Sequence, residues 1–273
     1  MLIRYPGSKD KHLRLLDIFL QRASVSRTVY EPFAGTASVT FYLLRNKMVD
    51  YYHINDVDQG VTSLWQTVKD NPEALIDAVM SYSPNVSDFY DFKSDPGARL
   101  FDMAFRKLVL HQVSFSGLGA MAGGPLGGRA QAGKYNVDCR WSPLKLAKGI
   151  EACSTLLNSS DGVVTSGGWE GVVDSAVKAK GFLYLDPPYY VKGRELYVSG
   201  ELDHGALATA LMSAEDFVLS YDDAPEVREL YDWAAVSRID VLSHLHHKII
   251  ADVAITPRKR STRNEENTNA VRA

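Results

Sequence analysis

Asp186-Pro187-Pro188-Tyr189 sets a carboxylate, two tertiary amides and an aromatic ring in immediate succession. Proline has no N–H, so such a turn offers carbonyl and carboxylate acceptors without competing backbone donors. That set suits a planar heteroaromatic amine with two N–H hydrogens. The carboxylate takes one hydrogen, the Pro187 carbonyl takes the other, and the Tyr189 ring stacks on the heterocycle. The lone pair of such an amine is delocalised, and two fixed acceptors would draw it towards a tetrahedral, nucleophilic geometry. The plainer alternative is a proline-stiffened loop with a capping aspartate.

A second group is Glu31-Pro32-Phe33-Ala34-Gly35, at the end of a β-prone run and the start of an apolar helical stretch. Gly35 permits a tight turn and the close backbone approach that a nucleoside cofactor needs. Asp56 follows Gly35 by 21 residues, at the end of the next β-prone run. From there an acidic side chain can hydrogen-bond both hydroxyls of a ribose; the alternative is an N-cap for a helix from 57 onward. Together the two groups point to an adenosine-containing cofactor. A third group, Arg4-Tyr5-Pro6-Gly7-Ser8-Lys9, supplies a ring able to stack and a lysine able to neutralise a carboxylate.

These groups need elements to hold them. Short β-prone runs at 28–33, 51–55, 163–166, 181–186 and 217–221 alternate with helical patterns, which predicts a doubly wound, mostly parallel α/β sheet. Ligands of such sheets lie beyond the carboxyl ends of the strands, where Gly35, Asp56 and Asp186 fall. Between 57 and 160 the pattern changes to helices over 57–69, 72–82 and 98–113, then a glycine-rich, mobile loop over 116–133. The expected division is a catalytic domain of 1–56 and 161–273 carrying an inserted helical domain of 57–160. Residues 239–256 read as a hairpin at the sheet edge.

The 273 residues carry a net charge of −3, but the charge is unevenly spread. Residues 99–148 hold eight Lys and Arg against two acidic residues, a local +6. Salt screens beyond roughly 10 Å, so a polyanion feels this local field. Arg129, Lys134 and Arg140, on or beside the glycine-rich loop, are the candidate contacts for such a polyanion. No run of 18 apolar residues suggests a membrane span, and no secretory signal is visible. Cys139 and Cys153 have no metal spacing and suit a reducing cytoplasm. His244, His246 and His247 have no partnered carboxylate motif, so no metal is expected.

In content and order, Tyr5-Pro-Gly-Ser-Lys9, Glu31-Pro-Phe-Ala-Gly35, Asp56 and Asp186-Pro-Pro-Tyr189 resemble the Dam-type (D12 class) adenine-N6 DNA methyltransferases. The resemblance implies a Rossmann-like sheet with a reversed edge strand and an inserted target-recognition domain. It implies S-adenosylmethionine as cofactor, with Tyr5, Gly7, Lys9, Pro32, Phe33, Gly35, Asp56 and Asp186 as its candidate binding residues. Asp186, Pro187 and Tyr189 would hold the target adenine. The implied partner is double-stranded DNA, and the expected protein is a cytoplasmic monomer or weak dimer of bacterial or bacteriophage origin. The chain departs from the family in Thr36-Ala37-Ser38, which lacks a second glycine, and in His111-Gln112, where Asn-Arg is common. It also has Gly168 where many relatives place an acid for the cofactor adenine, leaving Trp169 or Glu170 for that role. An RNA amino-group methyltransferase and a catalytically silent nucleic-acid-binding homologue are the alternatives.

Overall fold

The computed structural model describes residues 2–3, 17, 19–190, 202–243 and 248–258, with backbone alone for 240–243 and 248–251. Tyr5, Gly7, Lys9, His244, His246 and His247 lie outside the described residues.

Seven strands share one sheet: β1 (Thr28–Glu31), β2 (Tyr51–Asp56), β3 (Asp161–Ser166), β4 (Phe182–Leu185), β5 (Phe217–Asp222), β6 (Ala235–Ser243) and β7 (Lys248–Thr256). Their order is β3-β2-β1-β4-β5-β7-β6. The first five pair in parallel, β7 runs antiparallel to β5, and β6 antiparallel to β7. The expected hairpin is present, and its second strand enters the sheet between β5 and β6. The chain winds outward from β1 to β3 and then from β4 the other way. The switch point lies between β1 and β4, and doubly wound sheets bind ligands beyond the carboxyl ends of the strands at such a point.

The helices are α1 (Ala23–Ser26), α2 (Ser38–Arg45), α3 (Gln59–Asp70), α4 (Pro72–Ser81), α5 (Val86–Ser94), α6 (Leu100–Val113), α7 (Pro143–Asn158), α8 (Glu170–Ala179), α9 (His204–Leu211) and α10 (Pro225–Leu230). All four residues of β4 are buried, as a central parallel strand covered on both faces requires. Phe182 and Tyr184 enter one core; Leu183 and Leu185 enter the other. The first core includes Val39 and Leu43 of α2, Leu64 and Trp65 of α3, and Ile150 and Leu157 of α7. Helices from within 57–160 therefore share the core of the sheet. A separate small core joins Phe89, Val109, Leu110, Val113, Ala122 and Val137. Helix α6 serves both, since Ala104 and Leu108 belong to the first.

The glycine-rich segment is held by more than its ends. Leu126 N donates to Val113 O at 2.7 Å and Phe115 N to Gly124 O at 3.1 Å. Gln131 donates to Leu126 O at 2.9 Å and accepts Val137 N at 2.7 Å. Gly127 has φ +76°, and a Cβ there would meet Tyr135 O at 2.1 Å, so this turn requires glycine. Ala122, and Val137 just beyond the segment, are buried and tie it to the small core. His111 and Gln112 also point inward: His111 Nδ1 meets Gly117 O at 2.9 Å and Gln112 donates to Leu2 O at 2.5 Å.

Candidate active site

The tips of β1, β2 and β4 bring Glu31, Asp56 and Asp186 to one end of the sheet. Between β1 and α2 the chain turns through Gly35, at φ 47°, and Ala37, at φ 48°. Ala37 thus occupies the left-handed region, where the missing second glycine would carry no Cβ penalty. The turn is fixed from two sides. Asp56 Oδ2 accepts Gly35 N at 2.8 Å, and the indole of Trp65 donates to Gly35 O at 2.9 Å.

Asp56 does not cap α3. That work falls to Asp58, whose Oδ1 accepts Gly60 N at 2.8 Å and Val61 N at 3.2 Å. Lys107 of α6 pairs with Asp58 at 2.5 Å. Asp56 instead accepts one backbone N–H on each oxygen, from Gly35 and, at 2.9 Å, from Asp58. Each oxygen keeps a further lone pair, so the ribose role stays open to it. Burial pushes its carboxyl up to about 6 against these two N–H groups.

Glu31 is 3% exposed and accepts both the Thr40 amide, at 3.0 Å, and the Thr40 hydroxyl, at 2.5 Å. Burial raises its carboxyl to about 8, and the Asp186 charge on the neighbouring tip pushes the same way. Ionised, Glu31 and Asp186 repel each other, and a cationic ligand beside the two would relieve that repulsion. The motif reading had included Glu31 only as part of the cofactor turn.

Asn55 was not singled out from sequence, yet it stitches the cleft. Its amide donates to Pro32 O and to Gly167 O, both at 3.1 Å, while its oxygen accepts the Thr165 hydroxyl at 2.8 Å. The turns after β1 and β3 are thereby tied to β2. In the turn after β3, a Cβ at Gly168 would lie 2.2 Å from Glu170 Oε2. The Glu170 carboxylate therefore fills the space that a side chain at 168 would take.

Beyond β4, Pro187 is buried and Asp186 and Tyr189 are half-buried. Phe33, half-buried, and Tyr189 pack against the same core, so the turns after β1 and β4 both adjoin it. Tyr190 N donates to Asp222 Oδ1 at 3.2 Å, and the Tyr190 ring lies 4.8 Å from that of His204. Arg129, Lys134 and Arg140 are exposed on the inserted segment. Arg129 lies over the Tyr90 ring at 5.4 Å and Lys134 over Tyr135 at 5.9 Å. Three other cations of the +6 segment are engaged in ion pairs: Arg99 with Asp102 at 2.8 Å, Arg106 with Asp95 at 2.8 Å, and Lys107 with Asp58. Among the described residues, no cluster of three or more His, Cys, Asp or Glu could hold a metal, and no helix is long and apolar enough to cross a membrane.

The family model for D12 class N6 adenine-specific DNA methyltransferases matches residues 5–245. The chain is 30% identical over 171 residues to the Type II methyltransferase M1.LlaDCHI of Lactococcus lactis subsp. cremoris. That match covers 59% of this chain and 56% of the relative, so the chain spans little more than half of that relative's length. A solved structure, an uncharacterized protein from Listeria monocytogenes serotype 4b, matches with a TM-score of 0.40 and 10% identity, over 90% of this chain and 68% of that one.

Proposed function

Because the chain belongs to the D12 class N6 adenine-specific DNA methyltransferase family, we propose that it methylates the N6 amine of adenine in double-stranded DNA, with S-adenosylmethionine as donor. The observation that carries the reading is the convergence of Glu31, Asp56 and Asp186 on adjacent strand tips beside an acceptor-only Pro-Pro turn.

The three carboxylates fit a cationic nucleoside. Asp56 has acceptor capacity for ribose hydroxyls, Gly35 lets the backbone approach, and Glu31 and Asp186 favour positive charge. Glu170, in the space beside Gly168, is the candidate acceptor for the cofactor's adenine amine. The cofactor supplies an already activated methyl group, so the protein's task is orientation. Asp186 and the Pro187 carbonyl each accept one N–H of the target amine, and Tyr189 stacks on the base. Holding the nitrogen in line at roughly 3–3.5 Å from the methyl carbon supplies the positioning. Asp186 would stabilise the positive charge that the amine gains on accepting the methyl group and would take its proton. The base must leave the helix to reach this turn, at a cost of a few kcal/mol.

Residues 1–56 and 161–273 form the catalytic part in this reading, and 57–160 the recognition part, which presents Arg129, Lys134 and Arg140 to the duplex. Methylation by such an enzyme is consistent with a role in restriction–modification. The test is methyl transfer to unmethylated duplex DNA and, separately, to RNA. Label on DNA as N6-methyladenine supports the proposal; label confined to RNA, or on cytosine, overturns it.

A further inference from the structure

The Tyr189 side chain is held at the end remote from its backbone. Its hydroxyl donates to Oδ2 of Asp252 on β7 at 2.7 Å. The Ser220 side chain on β5 hydrogen-bonds the same hydroxyl. Asp252 is 6% exposed and sits opposite Asp222 in the β5–β7 ladder. Asp222 accepts the next backbone amide, Tyr190 N. The turn after β4 is therefore fastened at consecutive residues, the 189 ring to β7 and the 190 backbone to β5.

Such fastening matters because a tyrosine ring otherwise swings about two side-chain torsions. A partner that stacks on a swinging ring must first order it, and fixing the ring beforehand removes that cost. A hydrogen bond between a hydroxyl and a carboxylate is among the stronger side-chain ties. Strand pairing does not call for a buried carboxylate at this position of β7, where an apolar residue would avoid the desolvation cost. Burial and the nearby carboxylates raise the Tyr189 hydroxyl well above its ordinary range, so it remains a donor throughout the working pH range.

We propose that Asp252 is a positioning residue that locks the Tyr189 ring, through the hydroxyl, at the angle at which it receives the extruded base. The proposal rests on the reading of Tyr189 as the stacking platform. It assigns to β7, a strand without a motif of its own, a part in substrate capture.

The test is a double-mutant cycle of Asp252→Ala and Tyr189→Phe, reading KM for nucleic acid and kcat separately, with thermal unfolding alongside. Asp252→Ala should raise KM about 10- to 100-fold, as loss of a charge-assisted hydrogen bond implies, with kcat at saturation changed by less than about threefold. In the Tyr189→Phe background the same substitution should change KM no further. An unchanged KM in Asp252→Ala, or losses that simply add, overturns the lock, because a purely structural aspartate acts whether or not the hydroxyl is there. Should the alanine variant fail to fold, Asp252→Asn keeps size and an acceptor, and its smaller KM effect must also vanish beside Tyr189→Phe. The cycle is run on whichever nucleic acid the wild type methylates. Methylation of RNA alone would overturn the DNA reading and leave the cycle decisive, while a wild type that methylates neither overturns both.

Discussion

The Asp56 carboxylate accepts the Gly35 amide hydrogen at 2.8 Å across 21 positions of sequence. The residue proposed to hold a ribose therefore also shapes the turn against which the nucleoside would lie. Removing it acts twice, on the ligand and on the loop. Asp56→Ala should weaken S-adenosylmethionine binding by about 1–3 kcal/mol, the range for a charge-assisted hydrogen-bond pair. The cofactor-free protein should melt lower as well, since Gly35 N and Asp58 N lose their acceptor. Titration calorimetry and thermal unfolding check both. Unchanged affinity would place the ribose elsewhere.

A pH dependence follows from the raised carboxyls. Glu31 titrates at about 8 in the fold against an ordinary 4.5, and Asp56 at about 6 against 3.8. Between those values the unfolded chain has already lost protons that the fold retains. Rising pH therefore favours the unfolded state, and stability of the cofactor-free protein should fall between about pH 4 and pH 8. A cationic cofactor favours the ionised carboxylates, so its binding should release protons and tighten from about pH 6 to pH 8. Glu31→Gln should flatten the upper part of both slopes. Calorimetry in buffers of different ionisation enthalpy reads the proton release; a pH-independent affinity in wild type would contradict this account.

Glu170 beside Gly168 leads to a rescue experiment. Glu170→Ala should weaken cofactor binding about 10- to 100-fold, the loss of one hydrogen bond to a charged group. Gly168→Asp in that background should restore much of it, because the new side chain enters the space that Glu170 vacates. A double variant that binds no better than Glu170→Ala alone would mean that the adenine amine lies away from this turn.

The exposed cations of the inserted segment differ in what they can contact. Loss of a phosphate contact should reduce the slope of log affinity against log salt by about 0.9, and loss of a base contact should cost about 1–3 kcal/mol at one position of the site. Arg129→Ala, Lys134→Ala and Arg140→Ala, measured at several salt concentrations on methylated-site and scrambled duplexes, sort the three. If all keep wild-type slope and preference, the duplex lies on another face.

Much of this arrangement could be read along the chain because its signals are local. The β-prone runs that lead to Gly35, Asp56 and Asp186 mark parallel strands, with Phe182–Leu185 apolar throughout, and the Pro-Pro pair marks where β4 stops. Ties between distant segments carry no such signal. Asn55 reaches Gly167 over 112 positions, and Tyr189 reaches Asp252 over 63, through pairings set only once the sheet has formed. Helix α5 escaped notice because Val86–Ser94 is short: Val86, Phe89 and Tyr90 share one face, but only Phe89 is fully buried and the pattern does not repeat. Its start is marked instead by Asn85, which caps Asp88 N at 2.8 Å. Ala37 shows the reverse case, a left-handed turn kept without the glycine that would announce it.

The most direct measurement is transfer of labelled methyl from S-adenosylmethionine to unmethylated duplex DNA by wild type and by Asp186→Ala, with the product digested to nucleosides. The central claim is that Asp186 and the Pro187 carbonyl hold an adenine amine at the tip of β4. It requires label in N6-methyladenine for wild type and a loss of at least about 10³-fold in the variant, the scale expected when a group that both positions the amine and takes its proton is removed. Label in another nucleoside, or an Asp186→Ala protein that is folded and transfers methyl at near the wild-type rate, would contradict it.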